Sequence, residues 1–375
     1  MSRVLIATFD GGGNVPPALR VAVELRSRGH DVTVLGHPGQ RDAIEAAGVT
    51  ALAYRNVPPW DPGAARGSMN FALAYLRLFT HSGFGRDLRE AMSRNRPDVV
   101  VVDALLPSAM NAAVSSGTPT ILLVHTVLSA IRGIARGPVG VVAARKGFSF
   151  SRALRAADAL IVASPVELAT GPAPMTARYV GPLFGPGEES PPATNPGSRR
   201  ILVSLSTIHY AGMEQVLQTL VDAVGELDVE AIVTTGPTID PADVRAPSHV
   251  RVLRSVPHSE VLADAGLVIS HGGHGTTTRA LTAGVPVLVR PMSGLGDHVF
   301  VARGLEHAGA GRRLPTRASA LELTALIDAS LRDDALRARA QTVGERLRQR
   351  ESARLAGDAV EAAMTSAVRG RPAAA

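Results

Sequence analysis

Leu267-Val-Ile-Ser-His271-Gly272-Gly273-His274-Gly275-Thr276-Thr277-Thr-Arg-Ala-Leu-Thr-Ala-Gly284-Val-Pro286-Val-Leu-Val289 reads as a buried strand, a glycine turn, a helix opening on threonines and a second buried strand entered through Gly-Val-Pro. A strand, turn and helix in this order build one unit of a parallel α/β sheet. The N–H groups at a helix N-terminus have no intrahelical acceptor, and the macrodipole adds positive charge there, so such a turn attracts anions. Gly272, Gly273 and Gly275 allow close backbone approach, while Thr276 and Thr277 can cap the helix or donate hydroxyl hydrogen bonds. The turn is predicted to hold a diphosphate.

Working outward, the same alternation fills the chain. A strand at 4–9, a glycine turn, a helix at 16–28 and a strand at 31–35 open it, followed by helices near 40–47 and 69–94. Strands at 98–102, 120–124 and 159–163 follow, with a helix at 108–116 between the first two. A run of breakers from Gly181 to Arg200 interrupts the pattern. It then restarts with strands at 201–205, 230–234, 250–252 and 267–270 and helices at 214–224 and 259–264, and ends in helices at 318–331 and 334–363. The fold expected is α/β: two Rossmann-like, doubly wound parallel-sheet domains facing a central cleft, with ligands at the strand C-terminal ends. The divisions predicted are 1–185, a linker at 186–199, a second domain at 200–350, and a C-terminal helix and tail at 351–375 that packs back on the first domain.

A length of 375 residues suits two domains of about 150 to 200 residues each. The net charge of +6 does not signal nucleic acid: Lys146 is the only lysine, no block of basic residues occurs, and aromatics are 3%. With no cysteine, disulfides, thiolate metal sites and thiol nucleophiles are excluded. His271 and His274 lack a third ligand at a metal-binding spacing, so no metal is expected. The first ten residues read as a strand rather than a signal peptide, and no apolar run is long enough to span a bilayer, so a cytoplasmic protein without a transmembrane segment is expected, as monomer or homodimer.

The segment His271 to Thr276, with Ala280 to Pro286 and Asp297-His298, resembles the donor-binding signature of GT-B glycosyltransferases of the UDP-glycosyltransferase family, bacterial natural-product type. Fainter similarity runs through Gly13 to Pro17, Arg28-Gly-His30, Pro97 to Asp103, Val180-Gly-Pro182 and Val256-Pro257-His258. The resemblance implies transfer of a sugar from UDP or TDP to a small lipophilic or aromatic acceptor, inverting and metal-independent, with the nucleotide sugar as substrate and no cofactor. It places His271 at the α-phosphate, Gly273, Gly275 and Thr276 at the β-phosphate, Val256 and His258 at the base, and Asp297-His298, where the family has Asp-Gln, at the sugar. The turn carrying Ser206 would line the diphosphate. Acceptor contacts are expected from Phe71, Tyr75 and Phe79, and a lid from 127–150.

The family's base is a His in Gly-His-x-x-Pro, oriented by an Asp at a later strand end; this chain reads Gly13-Asn14-Val15-Pro16-Pro17, and the Asp stands at Asp103. Asn14 can hydrogen-bond a substrate but takes no proton at neutral pH. Asp103 or Asp10, directly or through water, is ranked ahead of His125 as base; an acceptor needing little help is the third reading. The alternatives from other classes are a nucleotide-binding relative that lost catalysis and assists a partner, and a nucleotide-sugar epimerase on the same fold. A nicotinamide dehydrogenase is disfavoured because Gly11-Gly-Gly13 lacks the third glycine of the dinucleotide fingerprint.

Overall fold

The computed structural model describes residues 1–64, 67–185, 191–195, 197–294 and 296–370. Its first half is a seven-stranded sheet: β1 (Arg3–Ala7), β2 (Asp31–Gly36), β3 (Thr50–Ala53), β4 (Val99–Asp103), β5 (Thr120–Val124), β6 (Ala159–Val162) and β7 (Ala177–Tyr179). Every pairing is parallel and the order is β3-β2-β1-β4-β5-β6-β7, so the winding reverses between β1 and β4. The connecting helices are α1 (Val15–Ser27), α2 (Arg41–Ala46), α3 (Ser68–Phe79), α4 (Gly83–Asn95), α5 (Pro107–Val114), α6 (Leu128–Arg136), α7 (Pro138–Arg145) and α8 (Phe150–Ala156).

The second half repeats the plan with β8 (Arg200–Ser204), β9 (Glu230–Thr234), β10 (Val250–Leu253), β11 (Ala265–Ser270), β12 (Val287–Val289) and β13 (Gly311–Arg313). Its parallel order is β10-β9-β8-β11-β12-β13, reversing between β8 and β11. Its helices are α9 (Met213–Gly225), α10 (His258–Leu262), α11 (His274–Ala283), α12 (His298–Ala308), α13 (Ala320–Leu331), α14 (Asp334–Arg348) and α15 (Ser352–Gly370).

The strands are apolar on both faces because both faces are covered. Leu5, Val100, Val102, Leu122 and Leu160 face Phe84, Leu88, Met110 and Phe150, whereas Val4, Ile6, Val99, Val101, Ile121 and Ile161 face Val21, Leu25 and Ile44. The second layer also contains Ala356, Val360 and Ala363, so α15 belongs physically to the first half. Arg28 fastens it there: its guanidinium lies 2.8 Å from both Asp358 and Glu361 and donates to the Arg354 carbonyl.

The expected helix at 334–363 is therefore two, broken at residues 349–351, where Arg350 donates to the Val180 carbonyl and the chain crosses between halves. The stretch 69–94 is likewise two helices, interrupted at Thr80–Ser82. The expected lid at 127–150 is α6 and α7, with Leu128, Ile131 and Ala143 in the core. Of the linker expected at 186–199, residues 186–190 and 196 lie outside the described residues, as do 371–375 of the C-terminal tail. Residues 193 and 194 already hydrogen-bond to Ala283 and Ala263 of the second half. Among the described residues no helix is long and apolar enough to cross a membrane.

His37 is 4% exposed, stacked on Phe84 and edge-on to Tyr54, with neither ring nitrogen partnered among the described residues. Burial pushes its pKa from the usual 6.5 to about 4. Its contribution to stability is complete above the unfolded value of 6.5 and is lost as pH falls towards about 4, because only the unfolded chain then takes the proton readily. His37→Phe is expected to lose less stability than wild type between pH 7 and 4.5, read as the fall in urea midpoint; parallel falls would refute this.

Candidate active site

Both switch points open onto one cavity of about 1000 Å3 between the halves. On the first-half side, Asn14 follows β1, Asp103 ends β4 and His125 follows β5. Because β4 and β5 pair in parallel with Asp103 opposite Leu123, the two strand ends bring the carboxylate and the imidazole together. His125 Nδ1 stands 2.9 Å from Asp103 Oδ2. The N–H direction is off the line to that oxygen, so charge attraction more than an aligned hydrogen bond holds the pair. Asp103 is 1% exposed, and its Oδ1 accepts from the Leu105 N–H at 2.9 Å.

Asn14 lines the cavity, and its amide is also bonded within the first half. Its Nδ2 donates to Asp103 Oδ2 at 3.1 Å, to the Phe9 carbonyl at 2.9 Å and to Thr8 Oγ1 at 3.1 Å, while Oδ1 accepts from the Gly11 N–H at 3.0 Å. The side chain ties the first glycine turn to β4. Asp10, expected as a candidate base, is not among the residues lining the cavity; its carboxyl is half-buried, which raises its pKa, opposed by the Gly12 N–H it accepts from.

On the opposite wall, His271 follows β11 and Gly272 turns the chain with φ +93, its N–H held by Ser270 Oγ at 3.1 Å. The helix opens at His274 with Gly273 as its cap, not on the threonines, and its first backbone bond runs from Thr277 N–H to the Gly273 carbonyl. The N–H groups of His274, Gly275 and Thr276 thus have no acceptor one turn back, and all three residues line the cavity. Gly272 and Thr277, expected as donor contacts, do not line it. Gly272 faces Val289 and the His298 backbone, and Thr277, at the fourth helical position, turns into the core with 0% exposure.

Ser206, Val256, His258, Asp297 and His298 line the same cavity, from the ends of β8, β10 and β12. Ser206 Oγ accepts from the Ile208 N–H at 2.9 Å, and His258 Nε2 lies 3.2 Å from Ser204 Oγ. Asp297 Oδ2 accepts from Thr126 Oγ1 at 2.6 Å, a bond from one half to the other beside His125. His271 and His298 meet edge to face at 4.7 Å. Burial lowers both imidazoles, His271 further by the neighbouring His298 and His298 less because of Asp297. Burial also holds His274 to about 4, against the pull of Asp297 and with the push of His125. His271 Nδ1, His274 Nε2 and His298 Nδ1 are buried with no partner among the described residues, and all three rings border the cavity. Buried polar atoms of this kind are satisfied by a ligand's oxygens or by water.

Phe71, Tyr75 and Phe79 form the apolar wall, their rings 4.5 and 5.5 Å apart in sequence order. The second half adds Tyr210, whose ring is 4.9 Å from Phe71 and 5.2 Å from His298. Tyr210, His274 and Thr126 were not singled out from the sequence as donor or catalytic groups. Tyr210 and Thr126 belong to no motif, while His274 sat inside the glycine signature and could have been ranked with His271. Among the described residues no three His, Asp or Glu side chains gather as a metal set.

Two stretches match known families: residues 218–361 match the erythromycin biosynthesis protein CIII-like C-terminal domain, and residues 12–170 match Glycosyltransferase Family 4. The elloramycin glycosyltransferase ElmGT of Streptomyces olivaceus is 30% identical over 370 residues, covering 92% of this chain and 93% of that protein. The calicheamicin glycosyltransferase CalG4 superposes with a TM-score of 0.76 over 99% of this chain and 100% of its own, at 23% identity. Glycosyltransferase VinC, solved in complex with DTDP, does so with a TM-score of 0.70 over 98% and 100%, at 20% identity.

Proposed function

The chain belongs to the bacterial natural-product glycosyltransferases of the GT-B fold, and from that premise we propose that it transfers a sugar from UDP or TDP to a small lipophilic or aromatic acceptor with inversion and without a metal. The observation that carries this reading is one cavity on which a helix N-terminus, three imidazole nitrogens without a partner among the described residues, and an aromatic wall converge. The nucleotide diphosphate lies along His271, Gly273, Gly275 and Thr276, where backbone N–H groups and the helix dipole offset its charge in place of a cation. That VinC was solved with DTDP supports a thymidine or uridine diphosphate here. Val256 and His258 meet the base, Ser206 the diphosphate, and Asp297 with His298 the sugar.

The acceptor lies on Phe71, Tyr75 and Phe79, which offer planar apolar area. With acceptor and anomeric carbon on opposite walls of one cavity, the hydroxyl attacks from the face opposite the departing diphosphate, which inverts the anomeric configuration. The second reading, a nucleotide-binding helper without transfer activity, is favoured by one observation: Asn14 sits where the family has its base. The test is transfer from UDP- and TDP-glucose to a panel of aromatic acceptors, with and without EDTA. Products of inverted anomeric configuration formed equally well with chelator are expected. Nucleotide binding with no product on any acceptor would favour the helper, and activity abolished by EDTA and restored by a divalent cation would refute metal independence.

A further inference from the structure

We propose that His125 is the general base of the transfer, with Asp103 as its orienting partner, so that this chain has moved the base from the first glycine turn to the end of β5. The inference rests on the glycosyl-transfer reading above. Asp103 Oδ2 is reached from two sides: Asn14 donates to it at 3.1 Å from the turn after β1, and His125 Nδ1 stands at 2.9 Å from the neighbouring strand end. A base after β1 and a base after β5 can therefore use the same carboxylate. Asn14 holds the first of those positions without proton chemistry, and His125 holds the second with it.

The other candidates fall on geometry. Asp103 is 1% exposed, with both oxygens engaged by the Leu105 N–H, Asn14 and His125, so no acceptor hydroxyl reaches it. Asp10 does not line the cavity. His125 does, on the wall that also carries Phe9, Phe79 and Leu105, and its Nε2 has no hydrogen-bond partner among the described residues while Nδ1 faces Asp103. Its neighbour Thr126 holds Asp297, so the base and the sugar-binding carboxylate are set by adjacent residues of one loop. In the reaction, the acceptor O–H proton passes to Nε2 as the oxygen bonds to the anomeric carbon. The bond from that carbon to the phosphate oxygen breaks, and its electron pair leaves with the nucleotide diphosphate. Asp103 stabilises the imidazolium that forms.

The titratable groups facing His125 are Asp103 from β4, Asp297 from the loop before α12 and His274 from α11. Burial lowers the imidazole, but the charge and contact of Asp103 and the charge of Asp297 outweigh it, so its pKa is raised above 6.5. A base must be unprotonated, so kcat/KM rises with pH through this value and levels above it.

The experiment compares wild type, His125→Ala, His125→Gln and Asp103→Asn with TDP- and UDP-glucose and an acceptor that wild type uses, alongside UDP and TDP binding measured directly. Expected is a fall in kcat/KM of about 10²- to 10⁴-fold in both His125 variants, with nucleotide affinity unchanged. Added imidazole restores part of the rate in His125→Ala alone. In Asp103→Asn the acid limb moves to lower pH, because the charge that raises His125 is gone. Loss of less than tenfold in the His125 variants, no rescue by imidazole, or an acid limb that stays in place in Asp103→Asn overturns the assignment. A wild-type protein that binds nucleotide but transfers to nothing overturns the transfer reading itself and this inference with it.

Discussion

Gly273→Ala is expected to weaken UDP and TDP binding by about 1.5–3 kcal/mol, on the order of ten- to a hundredfold, while the protein without nucleotide melts close to wild type. The backbone at 273, with φ −62 and ψ 130, accepts any residue, so alanine brings no strain. Its Cβ, however, would stand 2.5 Å from His271 Cε1 and Nε2, and one of the two must move. The imidazole is the part that yields, although His298 closes one side of it at 4.7 Å. The charged diphosphate then loses its contact with the imidazole of His271 without any loss of core packing. Gly272→Ala provides the contrast: with φ +93 and the His298 backbone 3.0 Å from the new Cβ, it strains the turn itself and lowers the melting temperature. Isothermal titration with both diphosphates and a melting curve separate the two. Unchanged affinity in Gly273→Ala would remove His271 from the donor site.

Gly133→Val should uncouple the halves. Gly133 lies on α6 of the first half, and a Cβ there would stand 2.1 Å from Cζ of Phe300, on α12 of the second. The ring packs directly onto the helix backbone, in a seam continued by Val127, Ala130 and Leu168, which belong to the second half's apolar cluster. A branched side chain displaces Phe300 and α12 with it, at about 1–3 kcal/mol of overpacking. Asp297, immediately before α12, then leaves Thr126, and the sugar shifts relative to the acceptor wall. Misplacement of about 1 Å costs on the order of a hundredfold in rate. Transfer should therefore fall by about that factor while nucleotide binding, built within the second half, is kept. Phe300→Ala in the same chain should recover much of the rate by making room. A wild-type rate in Gly133→Val would mean that the seam does not set the distance between donor and acceptor.

The glycine-turn wall of the cavity was the more legible half because its geometry is local. His271, Gly273, Gly275 and Thr276 lie within six consecutive residues of a strand, a turn and a helix, and short-range geometry alone brings their donors to one place. The helix phase differs from the sequence expectation: it starts at His274, two residues before the threonines, so Thr277 turns into the core and Gly272 away from the cavity. The edge strands β3, β7 and β13 are only three or four residues long and carry no alternating apolar run that marks a strand in the sequence. The break at residues 349–351 was hidden because both flanking helices have good helical periodicity. It is made by the chain's return to the first sheet, where Arg28 and Arg350 anchor it.

By itself the sequence determined the α/β class, the two parallel sheets and the glycine turn between a buried strand and a helix, because strand and helix periods, glycine turns and residue identity are properties of neighbours along the chain. The tertiary structure alone decided which of the candidate bases meet one another and which of them line the cavity. Asp103 and His125 are twenty-two positions apart, and Asn14 lies on another loop. Whether a carboxylate faces solvent, substrate or an imidazole depends on which strands pair and in what register. The pairing of β4 with β5 placed Asp103 behind His125, and the seam between α6 and α12 brought Asp297 to Thr126 beside it. These contacts join segments far apart in the chain, and only packing sets them.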